Sequence, residues 1–159
     1  MGSPGETTAV GDSRRGHPRR TRIRVIVVDA SAMIDMLVGP GSEAGDAVAA
    51  QLGAGEMFCA PHLIDVEVGQ GLRRYVLHGD MSDEVAESML HDYLGVRVKR
   101  YPHTWLLGRA FELRSNVTVY DGLYLALAEA LDCSLLTGDR ALADVPGCRA
   151  AVEVLPTSA

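Results

Sequence analysis

From Val25 onward the chain alternates short, unbroken apolar runs with longer stretches in which apolar residues recur every three or four positions. Residues 25–28 are Val-Ile-Val-Val, the pattern of a strand buried on both faces. Residues 31–37 follow at once as a predicted helix. Gly39-Pro40-Gly41 breaks the chain, Ser42 is placed to cap a helix reaching Leu52, and residues 56–59 read as a second strand. Pro61 is predicted to open a long helix that runs to about Leu77 and stops at Gly79. Ser82-Asp83-Glu84 supplies a cap and an acidic first turn for a helix ending near Gly95. Residues 96–99, 134–137 and 152–155 complete the strands, with a helix over 104–113. The helix beginning at Asp121 is apolar on nearly every face through Ala128, which predicts a place in the centre of the fold. Strands alternating with helices imply an α/β protein with a mostly parallel sheet covered on both faces, whose sites form at the carboxyl ends of strands.

The first 22 residues break this pattern. They are rich in Gly, Ser, Thr, Pro and Arg with almost no large apolar side chains, so burial cannot offset the entropy of ordering them. They read as a disordered basic arm, leaving residues 23–159 as one domain, the expectation for a 159-residue chain with 47% hydrophobic residues. No apolar run is long enough for a membrane span and the N-terminus lacks the apolar stretch of a secretory signal. A cytoplasmic protein with no membrane partner is the expectation. Cys59, Cys133 and Cys148 have no CxxC spacing and read as reduced, with Cys59 and Cys133 in the core.

Charge is unevenly spread. The net charge of −6 combines a basic arm, whose six arginines up to Arg24 face only Glu6 and Asp12, with a strongly acidic body. Such a body argues against broad electrostatic binding of nucleic acid, which needs many Lys and Arg contacts. A bound cation and a few placed arginines can still reverse the sign of one cleft.

Within the body, Asp29, Glu67, Asp121 and Asp139 stand at the edges of apolar segments. Asp29 and Asp139 follow the first and fourth predicted strands, and Asp121 lies in the first turn of the most apolar helix. Glu67 competes with Asp65, roughly 200° away around the same helix, and spacing does not choose between them. Two carboxylates about 4 Å apart repel by about 4 kcal/mol at an effective dielectric near 20. A fold that gathers all four therefore calls for a hard cation with oxygen ligands, such as Mg²⁺.

These segments resemble a known family. Val27-Val28-Asp29-Ala30-Ser31, the stretch Pro61-His62-Leu63-Ile64-Asp65-Val66-Glu67, Tyr120-Asp121-Gly122-Leu123-Tyr124-Leu125-Ala126-Leu127-Ala128 and Leu136-Thr137-Gly138-Asp139-Arg140-Ala141-Leu142 look like the successive motifs of PIN-domain ribonucleases. Their order and the chain length favour the VapC-type toxins of type II toxin–antitoxin modules. The likeness spans about residues 24–156 and selects Glu67 over Asp65. It implies a three-layer α/β/α fold with about five strands. It also implies that Asp29, Glu67, Asp121 and Asp139 are the catalytic residues and hold one or two Mg²⁺ or Mn²⁺ ions for RNA hydrolysis. Ser31 and Thr137 would orient a carboxylate or a water, with Asp144 as a supporting outer acid and Arg73, Arg74 and Arg140 as phosphate contacts. A VapB-type antitoxin is the implied partner, in a homodimer or a dimer of toxin–antitoxin pairs. His62, His78, His91 and His103 carry no assigned role, and Trp105 with Leu106 and Leu107 reads as packing or interface.

Other acid-bearing folds fit less well. A receiver domain needs a paired acid after its first strand and a lysine after its last, yet the only lysine is Lys99. A dehalogenase-type phosphatase needs a second aspartate where Ser31 stands, and a dinucleotide-binding domain needs a glycine-rich turn that Asp29-Ala30-Ser31-Ala32 does not supply. The alternatives to a nuclease are a non-catalytic PIN-like scaffold or an acid-cluster phosphate-transfer domain. Loss of an acid would mark the scaffold, and all four acids are present.

Overall fold

In the computed structural model, residues 1–2 and 23–156 are described. The basic arm predicted over residues 1–22 lies almost wholly outside them. Among the described residues the elements run in the order β1 (Val25–Val28), α1 (Ala30–Val38), α2 (Glu43–Gly53), β2 (Met57–Pro61), α3 (Ile64–His78), α4 (Asp83–Gly95), β3 (Val98–Tyr101), a 3-10 turn (Thr104–Leu106), α5 (Leu107–Glu112), α6 (Val119–Leu131), β4 (Ser134–Thr137), a second 3-10 turn (Arg140–Leu142) and β5 (Val152–Val154). The strands form one sheet in the order β3-β2-β1-β4-β5, and every pairing is parallel. The three-layer architecture expected from the sequence is the one observed.

Chain direction explains where the site falls. From β1 through β2 to β3 the chain steps one way across the sheet, then returns past β1 to β4. With right-handed crossovers, these opposite steps put the intervening helices on opposite faces. Accordingly α1 packs with α2, α3 and α4, whereas α6 packs with α5 and against β1 and β2. β1 and β4 flank the point of reversal, where a crevice opens above the carboxyl ends of the strands.

Local chemistry sets most boundaries as the sequence predicts. Ser42 and Ser82 cap α2 and α4, accepting from Gly45 N (3.0 Å) and Val85 N (3.4 Å), and Gly79 ends α3 in the left-handed conformation at φ 80°. Helix α6 is central: Gly122 through Ala128 are all buried. A side chain at Gly122 would meet the backbone of Ala110 at 3.0–3.1 Å, so glycine is what lets α5 and α6 approach.

Three expectations need correction. Pro61 does not open α3; it closes β2, paired with Tyr101 of β3. The β1–β2 ladder ends at Val27 and Cys59, so the missing proline N–H falls where β1 no longer asks for a donor. The third strand starts at Val98 rather than Val96, because Val96 N is used to cap α4 through Tyr93 O (3.0 Å). The helix expected over 104–113 is a 3-10 turn followed by the short α5. Of the apolar trio there, Leu106 is buried, while Trp105 and Leu107 are exposed alongside Phe111 and Tyr120. Cys59 is buried and Cys133 only partly so; all three cysteines are free. Among the described residues no helix is long and apolar enough to cross a membrane.

The α5–α6 pair is clamped by an ion-pair cluster. Glu129, 5% exposed, accepts from Arg109 Nε (2.8 Å) and Nη2 (2.9 Å) and from Arg149 N (2.8 Å). These partners, Arg109 above all, pull its carboxyl down from the usual 4.5 to about 2. A lowered folded-state pKa contributes stability that is complete above the unfolded value and is lost as the carboxylate protonates. Glu129→Gln is therefore expected to destabilise the protein by about 2 kcal/mol at neutral pH. In urea titrations the gap to wild type should narrow as pH falls from 4.5 toward about 2; a gap independent of pH would contradict the assignment.

Candidate active site

Asp29 closes β1 and caps α1. Its Oδ1 accepts from Ala32 N (2.9 Å) and Ser31 Oγ (2.7 Å), its Oδ2 from Thr137 Oγ1 (2.5 Å), and it is 6% exposed. Ser31 and Thr137 thus hold the carboxylate from α1 and β4. Ser31 Oγ also accepts from Gly138 N (2.8 Å), and Thr137 Oγ1 from Asp139 N (2.9 Å). Asp139 in turn caps the short turn after β4 by accepting from Ala141 N (2.8 Å).

Asp121 is the third residue of α6 rather than its first. Thr118 caps the helix, accepting from Asp121 N (3.1 Å) and donating its hydroxyl to Asp121 Oδ2 (2.6 Å). That reciprocal pair satisfies one free amide and fixes the acid's direction. On α3 the choice between the two acids is plain. Asp65 turns to the far side, where it accepts from Tyr93 OH (2.6 Å) and Arg100 Nε (2.9 Å). Glu67 faces α6 and accepts from Tyr124 OH (2.5 Å).

Asp29, Glu67, Asp121 and Asp139 all line one cleft of about 630 Å³. Burial pushes the Asp29 carboxyl up, opposed by its three hydrogen bonds and reinforced by the charge of Asp121. Burial likewise raises Glu67, with Asp121 and Asp29 adding to the shift and the Tyr124 hydroxyl opposing it. Carboxyls that feel one another's charge this way gain from a cation. Their donor atoms are all oxygens, which suits Mg²⁺ or Mn²⁺. Among the described residues no three Asp, Glu, His or Cys side chains converge into a ready-made ligand cage, so an ion would draw these acids inward.

Of the expected supporting residues, Ser31 lines the cleft and Thr137 lies directly beneath it. Asp144 does not: it is exposed on the loop after the second 3-10 turn and is absent from the cleft wall, because that turn carries the chain away from the strand ends. Arg74 lines the cleft, Arg73 points into a separate groove against α4, and Arg140 is exposed beside Asp139. The structure adds residues that sequence reasoning passed over. Gln70, Gly71 and His78 continue the face of Glu67 and Arg74 along α3, at the three- and four-residue spacing that gathers side chains on one side of a helix. Asp35 also lines the cleft, one turn beyond Ser31, and burial raises its carboxyl too. A side chain at Gly138 would meet Asp35 Oδ2 at 2.9 Å and Ser31 Oγ at 3.2 Å, so α1 closes tightly over the end of β4.

A parallel five-stranded sheet whose reversal point gathers four carboxylates from separate elements defines a PIN domain, and the profile of that family matches residues 26–147. The chain belongs to the PIN-domain family, in its VapC-type ribonuclease branch. It is 48% identical over 122 residues to ribonuclease VapC1 of Mycobacterium tuberculosis, covering 76% of this chain and 90% of that protein. It is 38% identical over 132 residues to the VapC ribonuclease Mb0985 of Mycobacterium bovis, covering 83% and 99%. The fold matches VapBC2 from Rickettsia felis, a structure bound to a promoter DNA fragment, at a TM-score of 0.62 and 14% identity, over 83% of this chain and 99% of that one.

The upward shifts carry a sign. A carboxyl whose pKa is raised by folding contributes most stability below its unfolded value and loses it as pH rises through the folded value. Without divalent ions, thermal stability should therefore decline from acid toward neutral pH. Glu67→Gln, which keeps an acceptor for Tyr124, should flatten that decline in melts from pH 4 to pH 8 run in EDTA. An unchanged slope would remove Glu67 from the repelling set.

Proposed function

We propose that the protein is the toxin of a VapBC-type toxin–antitoxin module, a metal-dependent endoribonuclease that cuts RNA phosphodiester bonds and thereby halts translation and growth. The observation that carries this reading is the convergence of Asp29, Glu67, Asp121 and Asp139, from four separate elements, on one cleft. The VapC ribonucleases to which the chain is 38–48% identical support the substrate class.

In this reading the four acids hold one or two Mg²⁺ or Mn²⁺ ions. The bound ion supplies Lewis acidity toward water and phosphate and offsets charge on the departing 3′ oxygen. The protein's part is orientation. Ser31 and Thr137 donate to Asp29 and keep both its oxygens directed, and Thr118 holds one oxygen of Asp121, Oδ2. Arg74, on the wall below Glu67, is placed to meet a backbone phosphate, with Arg73 and Arg140 as outer contacts. An acidic cleft also suits an arginine presented by an antitoxin, which would compete with the ion and cover the site.

Purified protein incubated with total RNA should cleave it in Mg²⁺ and not in EDTA. Asp29→Asn and Asp121→Asn should each lower cleavage by roughly a hundredfold or more, on the scale of removing one preorganised electrostatic group. Cleavage that survives both EDTA and these substitutions would sink the reading. Arg74→Ala should raise KM severalfold with little change in kcat, the signature of lost uniform binding. Co-expression with the neighbouring open reading frame should yield a heterocomplex that no longer cleaves.

A further inference from the structure

We infer that Tyr124 is a positioning residue for Glu67, and that its phenolic hydroxyl sets which oxygen of Glu67 faces the cleft. This rests on the metal-dependent reading above and adds to it a residue outside the carboxylate set.

Tyr124 is 2% exposed, inside the most apolar helix of the chain, where a hydroxyl must find a partner or stay unsatisfied. It donates to Glu67 Oε2 at 2.5 Å, at the short end of the range for a hydroxyl meeting a charged acceptor. Little else restrains Glu67. Helix α3 packs on α1 and α4, and α6 packs on α5 and the sheet, so the two helices share little surface. A glutamate has three rotatable bonds, and among the described residues neither an arginine nor a backbone amide hydrogen-bonds its carboxylate. With Oε2 held by Tyr124, Oε1 is the oxygen left to the cleft.

Position in the helix completes the geometry. Tyr124 lies three residues after Asp121 on α6, so both side chains rise from the same face. One turn of one helix therefore presents an acid of its own and fixes the acid of another element. The hydroxyl also works without neutralising anything: a donor leaves the carboxylate its charge, whereas an arginine in the same place would take it. For an ion site, outer hydrogen bonds of this kind are typically worth a 10–100-fold change in affinity or activity.

Tyr124→Phe tests this, since it removes the hydroxyl and keeps the buried ring. Mn²⁺ affinity is read by titration calorimetry and by the Mn²⁺-induced rise in melting temperature, and cleavage of a defined RNA is followed beside them. Roughly tenfold weaker Mn²⁺ binding with lower kcat and unchanged KM is expected. Tyr93→Phe is the control: its hydroxyl meets Asp65 on the far side, so it should lower the metal-free melting temperature and leave Mn²⁺ affinity alone. Unchanged Mn²⁺ affinity and kcat in Tyr124→Phe would overturn the inference while leaving the nuclease reading intact. So would equal weakening by Tyr93→Phe, which would reduce the effect to general loss of stability. Wild-type protein that binds no Mn²⁺ would overturn both.

Discussion

The buried carboxylate of Asp29 is the constraint on which the rest of the site depends. Removing a charge from water costs several kcal/mol even after relaxation, and each hydrogen bond to it returns only about 1.5–3 kcal/mol. Asp29 accumulates three, from Ala32 N, Ser31 and Thr137, while its own N–H donates to Leu136 O of β4 at 3.2 Å. The upward direction of its pKa shows that burial still outweighs them. One residue therefore ends β1, starts α1 and pins β4. Those three elements cannot shift relative to one another without stranding a charge.

The surrounding acids divide by the company they keep. Asp65 and Glu129 are met by arginines, Arg100 in one case and Arg109 with Arg149 in the other. They join α3 to β3 and α6 to α5 and the chain before β5, and their charges are spent on structure. Asp29, Glu67 and Asp121 are met by hydroxyls instead, from Ser31 and Thr137, Tyr124 and Thr118. A hydroxyl directs a carboxylate without cancelling it. Partner chemistry, more than burial, thus separates the acids that hold the fold from those open to a ligand.

The architecture was legible because strong local signals agreed: β-branched runs for β1, serine caps for α2 and α4, Gly79 to stop α3. The two strand-end acids and Asp121 were legible for the same reason, each breaking an apolar pattern at an element's edge. Glu67 was not, because rotation about α3 decides it, and that rotation is set by Arg100 and Tyr93 holding Asp65 on the opposite side. Pro61 misled because a proline before a helix usually opens it; here the register with β3 and the early end of β1 made room for it in a strand. Asp35 could have been found as the i+4 neighbour of Ser31. Tyr124 could not: its ring reads as core, and the hydroxyl's target, Glu67, is 57 residues away.

An acidic body that acts on a polyanion raises a problem that the cleft's layout answers. Exposed charges farther apart than the Debye length, about 10 Å at 0.1 M salt, are largely screened. The sum of −6 therefore matters less to an approaching phosphate than the few charges within reach of the cleft mouth. There Arg74 lies on the same face of α3 as Glu67, and its charge already acts on that carboxylate. Asp29 lies deeper, buried at the end of β1, and an ion bound among it, Glu67, Asp121 and Asp139 would change their collective sign. Under the proposed metal-dependent reading, attraction to RNA and repulsion among the acids would both be governed by one local event, occupancy of the carboxylate cluster. With such an ion bound, a chain that is acidic overall would still present a phosphate with a positive centre.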